Sequence, residues 1–154
     1  MGFAKGHLLQ GRCREITEWL VLLERWKGLL RYQKQSTREL LETAANSKEV
    51  RHLCFLNPCL QELRQGERFA SAWETGLIQA QKQMDWNEED VRIARMVGQI
   101  LGASDTETQN QELDLVMELS RRQLEQAKGE EAQLGKMYRT LGVLSGIGIA
   151  VFLW

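Results

Sequence analysis

ITEWLVLLERWKGLL, residues 16–30, places Ile16, Trp19, Leu20, Leu23, Trp26 and Leu30 at spacings of three and four. With 3.6 residues per helical turn those positions share one stripe, so the spacing predicts an amphipathic helix. Leu22 and Leu29 widen the stripe beyond a narrow seam, which implies a deeply covered face. The helix extends outward from this stretch, from about Ala4 to Tyr32. Trp19 and Trp26, seven residues apart, read as core packing between helices rather than as a ligand box.

Further along, Gln33–Gln35 interrupt the pattern, and Ser36-x-x-Glu39 is a capping box opening a short helix to about Ala45. Val50, Leu53, Cys54 and Leu56 form the next apolar face. Asn57-Pro58 reads as a cap followed by proline at the first helical position, and Gly66 suits a left-handed C-terminal cap. Phe69 to about Met84 is another amphipathic helix, and Asn87-x-x-Asp90 caps one that ends at Gly102. Ser104-Asp105 starts the last and longest helix. Leu113, Val116, Met117, Leu124, Ala127, Leu134, Met137 and Leu141 keep helical spacing along it, with a kink possible at Gly129 or Gly135. Helix formers dominate, there is a single proline, and runs of β-branched residues are missing before the tail. The expectation is an all-α fold, a compact bundle of six to seven helices over residues 1–136, with no linker long enough to divide it.

The last fifteen residues, Thr140 to Trp154, carry no charge. Counting from Met137, the run reaches the short end of the roughly 17–25 residues needed to span a bilayer. Such a run would also fit a helix buried in a soluble core. Its terminal position, the cations before it and Trp154 at its far edge favour a transmembrane helix over residues 137–154. Arg121, Arg122, Lys128, Lys136 and Arg139 precede the uncharged tail from Thr140, which by the positive-inside rule puts the bundle in the cytoplasm. Gly142, Ser145, Gly146 and Gly148 offer small side chains through which membrane helices can approach closely.

The formal net charge of −1 argues against general nucleic-acid binding. Charge is uneven, however: residues 1–31 are net +3, whereas residues 85–118 are net −7. Asp85, Glu88, Glu89 and Asp90 are the candidate partner-binding cluster within the acidic segment, although carboxylates at a helix N-terminus also answer its dipole. His52, Cys54 and Cys59 lack the fourth ligand of a closed zinc site, and buried free thiols account for the cysteines better than a disulfide framework. The first fifteen residues contain Lys5, His7, Arg12 and Arg14 but no apolar stretch of the signal-peptide kind. No converging set of catalytic groups and no phosphate loop is present, so the expectation is a non-enzymatic protein with no cofactor, metal or small-molecule substrate.

Three stretches carry a resemblance. GERFASAW (66–73) looks like a Gly-x-x-x-x-x-Ala-Trp turn and helix. VGQILGASD (97–105), with Gln109 and Leu113, looks like L-G-x-x-L-G-x-S-D-x-x-x-Q-x-x-x-L. KMYRTLGVLSG (136–146) resembles a junction into a membrane helix. Together they resemble the stage III sporulation protein AB family of endospore-forming bacteria.

The resemblance implies an integral membrane subunit of the channel complex between mother cell and forespore. Its helical domain would be similar to the cytoplasmic domain of inner-membrane platform proteins of type II secretion and type IV pilus systems. The implied partners are a cytoplasmic secretion-type ATPase and the other channel subunits, and the implied address is the mother-cell membrane around the forespore. Two departures stand out. GFAKGHLLQGR (2–12) resembles only the segment that follows the family's N-terminal membrane helix, and Gln35-Ser36 replaces its Thr-Pro helix start. The competing expectation is a soluble helical adaptor whose apolar tail packs into its own core.

Overall fold

The stripe at 16–30 lies on α1 (Gly2–Tyr32). Leu22 and Leu23 are fully buried there, as are Trp19 and Trp26, while Leu20 and Leu29 pack at the margin. The computed structural model describes residues 2–32, 36–103 and 106–153. All regular elements among them are helical: α2 (Thr37–Ala45), α3 (Leu56–Arg64), α4 (Phe69–Ala80), α5 (Glu88–Gly102) and α6 (Thr106–Leu153), with single 3₁₀ turns at Lys48–Val50 and Gln81–Gln83. Helices α2 to α6 pack largely in chain order, and α1 returns against α6 to close the bundle.

Local chemistry sets most boundaries. Ser36 Oγ accepts the Glu39 N–H at 3.2 Å, opening α2. At Asn87 and Asp90 the capping box is complete, each side chain taking the other's backbone N–H. Gly66, at φ +96°, makes the left-handed turn after α3 that a side chain would resist.

Two boundaries depart from expectation. Helix α3 starts at Leu56, so Pro58 sits third in the helix rather than first. The position is still within the first turn, where the missing N–H has no intrahelical acceptor to lose. The stretch around Val50 and Leu53 is a 3₁₀ turn and bends rather than a helix, with Val50 and Leu53 buried all the same. Helix α5 ends at Gly102, as expected. Gln33–Gln35 and Ser104-Asp105, the expected break and helix start, lie outside the described residues.

Trp73 organises the core. Its ring lies 5.1 Å from Phe55, 5.6 Å from Phe69, 5.7 Å from Trp26 and 6.0 Å from Trp19, centroid to centroid. Such tilted, edge-on and stacked contacts add to what burial alone supplies. Its Nε1–H donates to Ala94 O at 2.7 Å, so the buried indole is satisfied. A Cβ on Gly98 would stand 2.7 Å from Trp73 Cδ1, and the glycine lets α5 come that close to α4.

Helix α6 runs unbroken through Gly129 and Gly135 for 48 residues, about 70 Å at 1.5 Å per residue. Ala127 is its last fully covered residue and Leu134 its last half-covered one. Beyond that, Met137, Leu141, Val143, Leu144 and Ile147 are exposed. Among the described residues no helix is long and apolar enough to cross a membrane, so the transmembrane helix expected over 137–154 is not supported. Lys136 and Arg139 stand at its start, and Thr140, Ser145 and three glycines dilute the apolar run beyond them. Trp154 lies outside the described residues. Among the described side chains, those at 140–148 lie exposed rather than packed into the bundle.

Candidate functional site

The four acidic residues expected to form one surface are divided by the fold. They enter at the N-terminus of α5, where Glu88, Glu89 and Asp90 occupy the first turn and face the positive end of the helix dipole. The capping box holds the Asp90 carboxylate back toward Asn87 and into the bundle. There Arg12 of α1 grips it, Nε to Oδ2 at 2.6 Å and Nη2 to Oδ1 at 3.2 Å. Gln123 of α6 adds Nε2 to Oδ1 at 2.8 Å. Both charged side chains are almost fully buried, at 6% and 3% exposure. Burial pulls the Arg12 guanidinium down, but the hydrogen bond and charge of Asp90, with Glu130 and Cys13, outweigh it and leave its pKa raised. Asp90 thus ties α1, α5 and α6 together and is not presented to a partner.

Asp85 is half-buried on α1. Its N–H donates to both carboxylate oxygens of Glu15, at 2.7 and 3.0 Å. Its own carboxylate lies over Gly11, where any side chain would collide with it. Burial pushes Glu15 up to about 7, and the Asp85 charge adds to that, while the Asp85 N–H works the other way.

Only Glu88 and Glu89 of the four are exposed. Glu89 pairs with Arg92 one turn on, and that hydrogen bond lowers its pKa. The accessible acidic surface is therefore the α5 N-terminus at Glu88 and Glu89, edged by Asp85.

Gly142, Ser145, Gly146 and Gly148 all lie exposed on the projecting part of α6. Nothing comes within 4 Å of a Cβ built on the three glycines. Gly142, Ser145 and Gly146 share a helix face, and Gly148, three residues past Ser145, flanks that face about 60° round from Ser145 at 100° per residue.

Sequence reasoning passed over Arg12, Glu15 and Gln123, because a charged or polar residue inside a long helix carries no local mark of burial. It also missed Glu18, which is buried and holds the Lys48–Val50 segment to α1. Its Oε1 accepts the His52 N–H at 2.9 Å and its Oε2 meets the His52 ring Nδ1. Cys59 alone of the thiols is fully buried, and burial pushes it up to about 12; Cys13 and Cys54 are half-buried. No group of three metal-ligating side chains occurs among the described residues.

In the first two of the three stretches, the residues that carried the family resemblance build the fold. Gly66 makes the positive-φ turn, Trp73 centres the core, Gly98 seats it, and Leu113 is fully buried. Gln109 closes the α5–α6 connection by donating from Nε2 to Ala103 O. The family model for stage III sporulation protein AB matches residues 1–154. A solved structure described as stage III sporulation protein AB (SpoIIIAB) superposes with a TM-score of 0.67 at 15% identity, covering 80% of this chain and 98% of that one. No curated protein matches the chain significantly.

Proposed function

The chain belongs to the stage III sporulation protein AB family, and from that premise we propose that it is a non-enzymatic subunit of a sporulation complex at the mother-cell membrane around the forespore. In this reading the bundle docks a cytoplasmic secretion-type ATPase and connects it to the membrane and the other channel subunits. The observation that carries the reading is the family match along the whole chain. The likeness to the solved SpoIIIAB structure supports the fold on which it depends. The accessible acids Glu88 and Glu89 offer a surface for a basic partner. The exposed apolar end of α6 supports contact with lipid or a neighbouring helix, since apolar groups at Met137, Leu141, Val143, Leu144 and Ile147 are otherwise left to water.

The absence of a spanning helix among the described residues favours a second reading, an adaptor that binds the same complex without crossing the bilayer. Fractionation of an endospore-forming host separates the two. An anchored subunit stays with the membranes through an alkaline wash, and recovery in the supernatant would instead establish the adaptor.

A further inference from the structure

We propose that the cavity between the α4–α5 connection and α6 is a site for one ordered water, which accepts the Trp86 indole N–H and donates to Ser120 Oγ and Gln123 Oε1. Trp86 belongs to neither flanking helix: it follows α4 and the 81–83 turn and precedes the Asn87 cap of α5. It is 8% exposed, and its Nε1 is buried with no hydrogen-bond acceptor among the described residues. The buried indoles of Trp19 and Trp73, by contrast, each reach a protein acceptor. A buried donor calls for a partner, because burial strips it of the water it had in the unfolded chain.

Trp86 shares a small cavity with Ser120, Gln123 and Asp90, and Ile16, Trp19 and Ile93 supply its apolar remainder. About 10 Å³ of it is open to the centre of a water molecule, which is room for one. Asp90 has no lone pair to spare: Arg12 Nε and the Asn87 N–H bond its Oδ2, and Arg12 Nη2 and Gln123 Nε2 bond its Oδ1. Those bonds fix the Gln123 amide with Nε2 toward Asp90, and its Oε1 takes no hydrogen bond from the described residues. Ser120 Oγ accepts the Trp19 Nε1–H at 3.0 Å and donates to Val116 O at 2.8 Å, so one lone pair remains.

The lining therefore offers one unpaired donor and two acceptor sites, the complement of a water that accepts once and donates twice. About three bonds is the usual number for a buried water. The competing destination for the Trp86 N–H is the face of Trp19, whose ring lies 5.5 Å away at 79°. An N–H···π contact is the weaker of the two and leaves Ser120 and Gln123 unserved. A water here ties the α4–α5 connection to α6 beside the buried Arg12–Asp90 pair.

Cross-relaxation between water and Trp86 Hε1, followed by NMR in the isotope-labelled full chain, tests the site. A held water should give NOE and ROE peaks of opposite sign at Hε1, unchanged in intensity with pH and lost with that resonance in Trp86→Phe. Peaks of equal sign would mean exchange of the indole proton itself, and growth with pH would mean relay through the Ser120 hydroxyl; either overturns the proposal. So does the absence of any water peak, which assigns the N–H to the Trp19 face. Should Trp86→Phe not fold, Hε1 is assigned through the other protons of its own ring, and the same signs decide.

Discussion

At the scale of single residues, the bundle rests on two satisfied buried groups of opposite character. Trp73 contributes apolar area and stacking and leaves no donor unpaired, because Ala94 O receives its Nε1–H. Asp90 contributes a charge that is tolerable only because Arg12, Gln123 and the Asn87 N–H together use its oxygens. Asp90→Ala leaves Arg12 buried without a counter-charge. It should destabilise the fold by about 3–5 kcal/mol in urea unfolding. A loss under about 1 kcal/mol would mean that the site relaxes and admits water. Trp73 is legible from sequence because a tryptophan on an apolar helical stripe has few other uses. Asp90 reads from sequence as a surface acid: its place at the third helical position announces the cap, and nothing local announces Arg12, 78 residues away.

The same division appears among elements. Helices with strong punctuation are readable close to their ends: Ser36 opens α2, Asn87 opens α5, and Gly66 closes the turn after α3. Between α2 and α3, no cap distinguishes a 3₁₀ turn from a helix. There the buried Val50 and Leu53 fit both patterns, and tertiary contact through Glu18 and His52 decides the outcome. The end of α6 is readable as helix but not as to what surrounds it. Since Leu141, Val143, Leu144 and Ile147 are exposed, a chain lacking residues 140–154 should keep its unfolding free energy within about 0.5 kcal/mol, compared in the same mild detergent. A larger loss would show that the tail folds back in solution.

On the scale of the whole molecule, the core residues of the family signature and the acidic surface proposed for a partner do not coincide. Gly66, Trp73, Gly98, Gln109 and Leu113 explain why a chain with this signature adopts this bundle, and the superposition on SpoIIIAB at 15% identity agrees with packing residues carrying the fold. The surface that would meet a partner is smaller than the acidic run suggests, because only Glu88 and Glu89 of the four acids are free of the bundle. The most direct measurement is a titration of the full chain, in detergent, with the purified secretion-type ATPase proposed as its partner. Saturable binding is expected, weakened about tenfold, or 1.4 kcal/mol, by the double change Glu88→Lys and Glu89→Lys. Absence of saturable binding by the folded native chain would contradict the docking account.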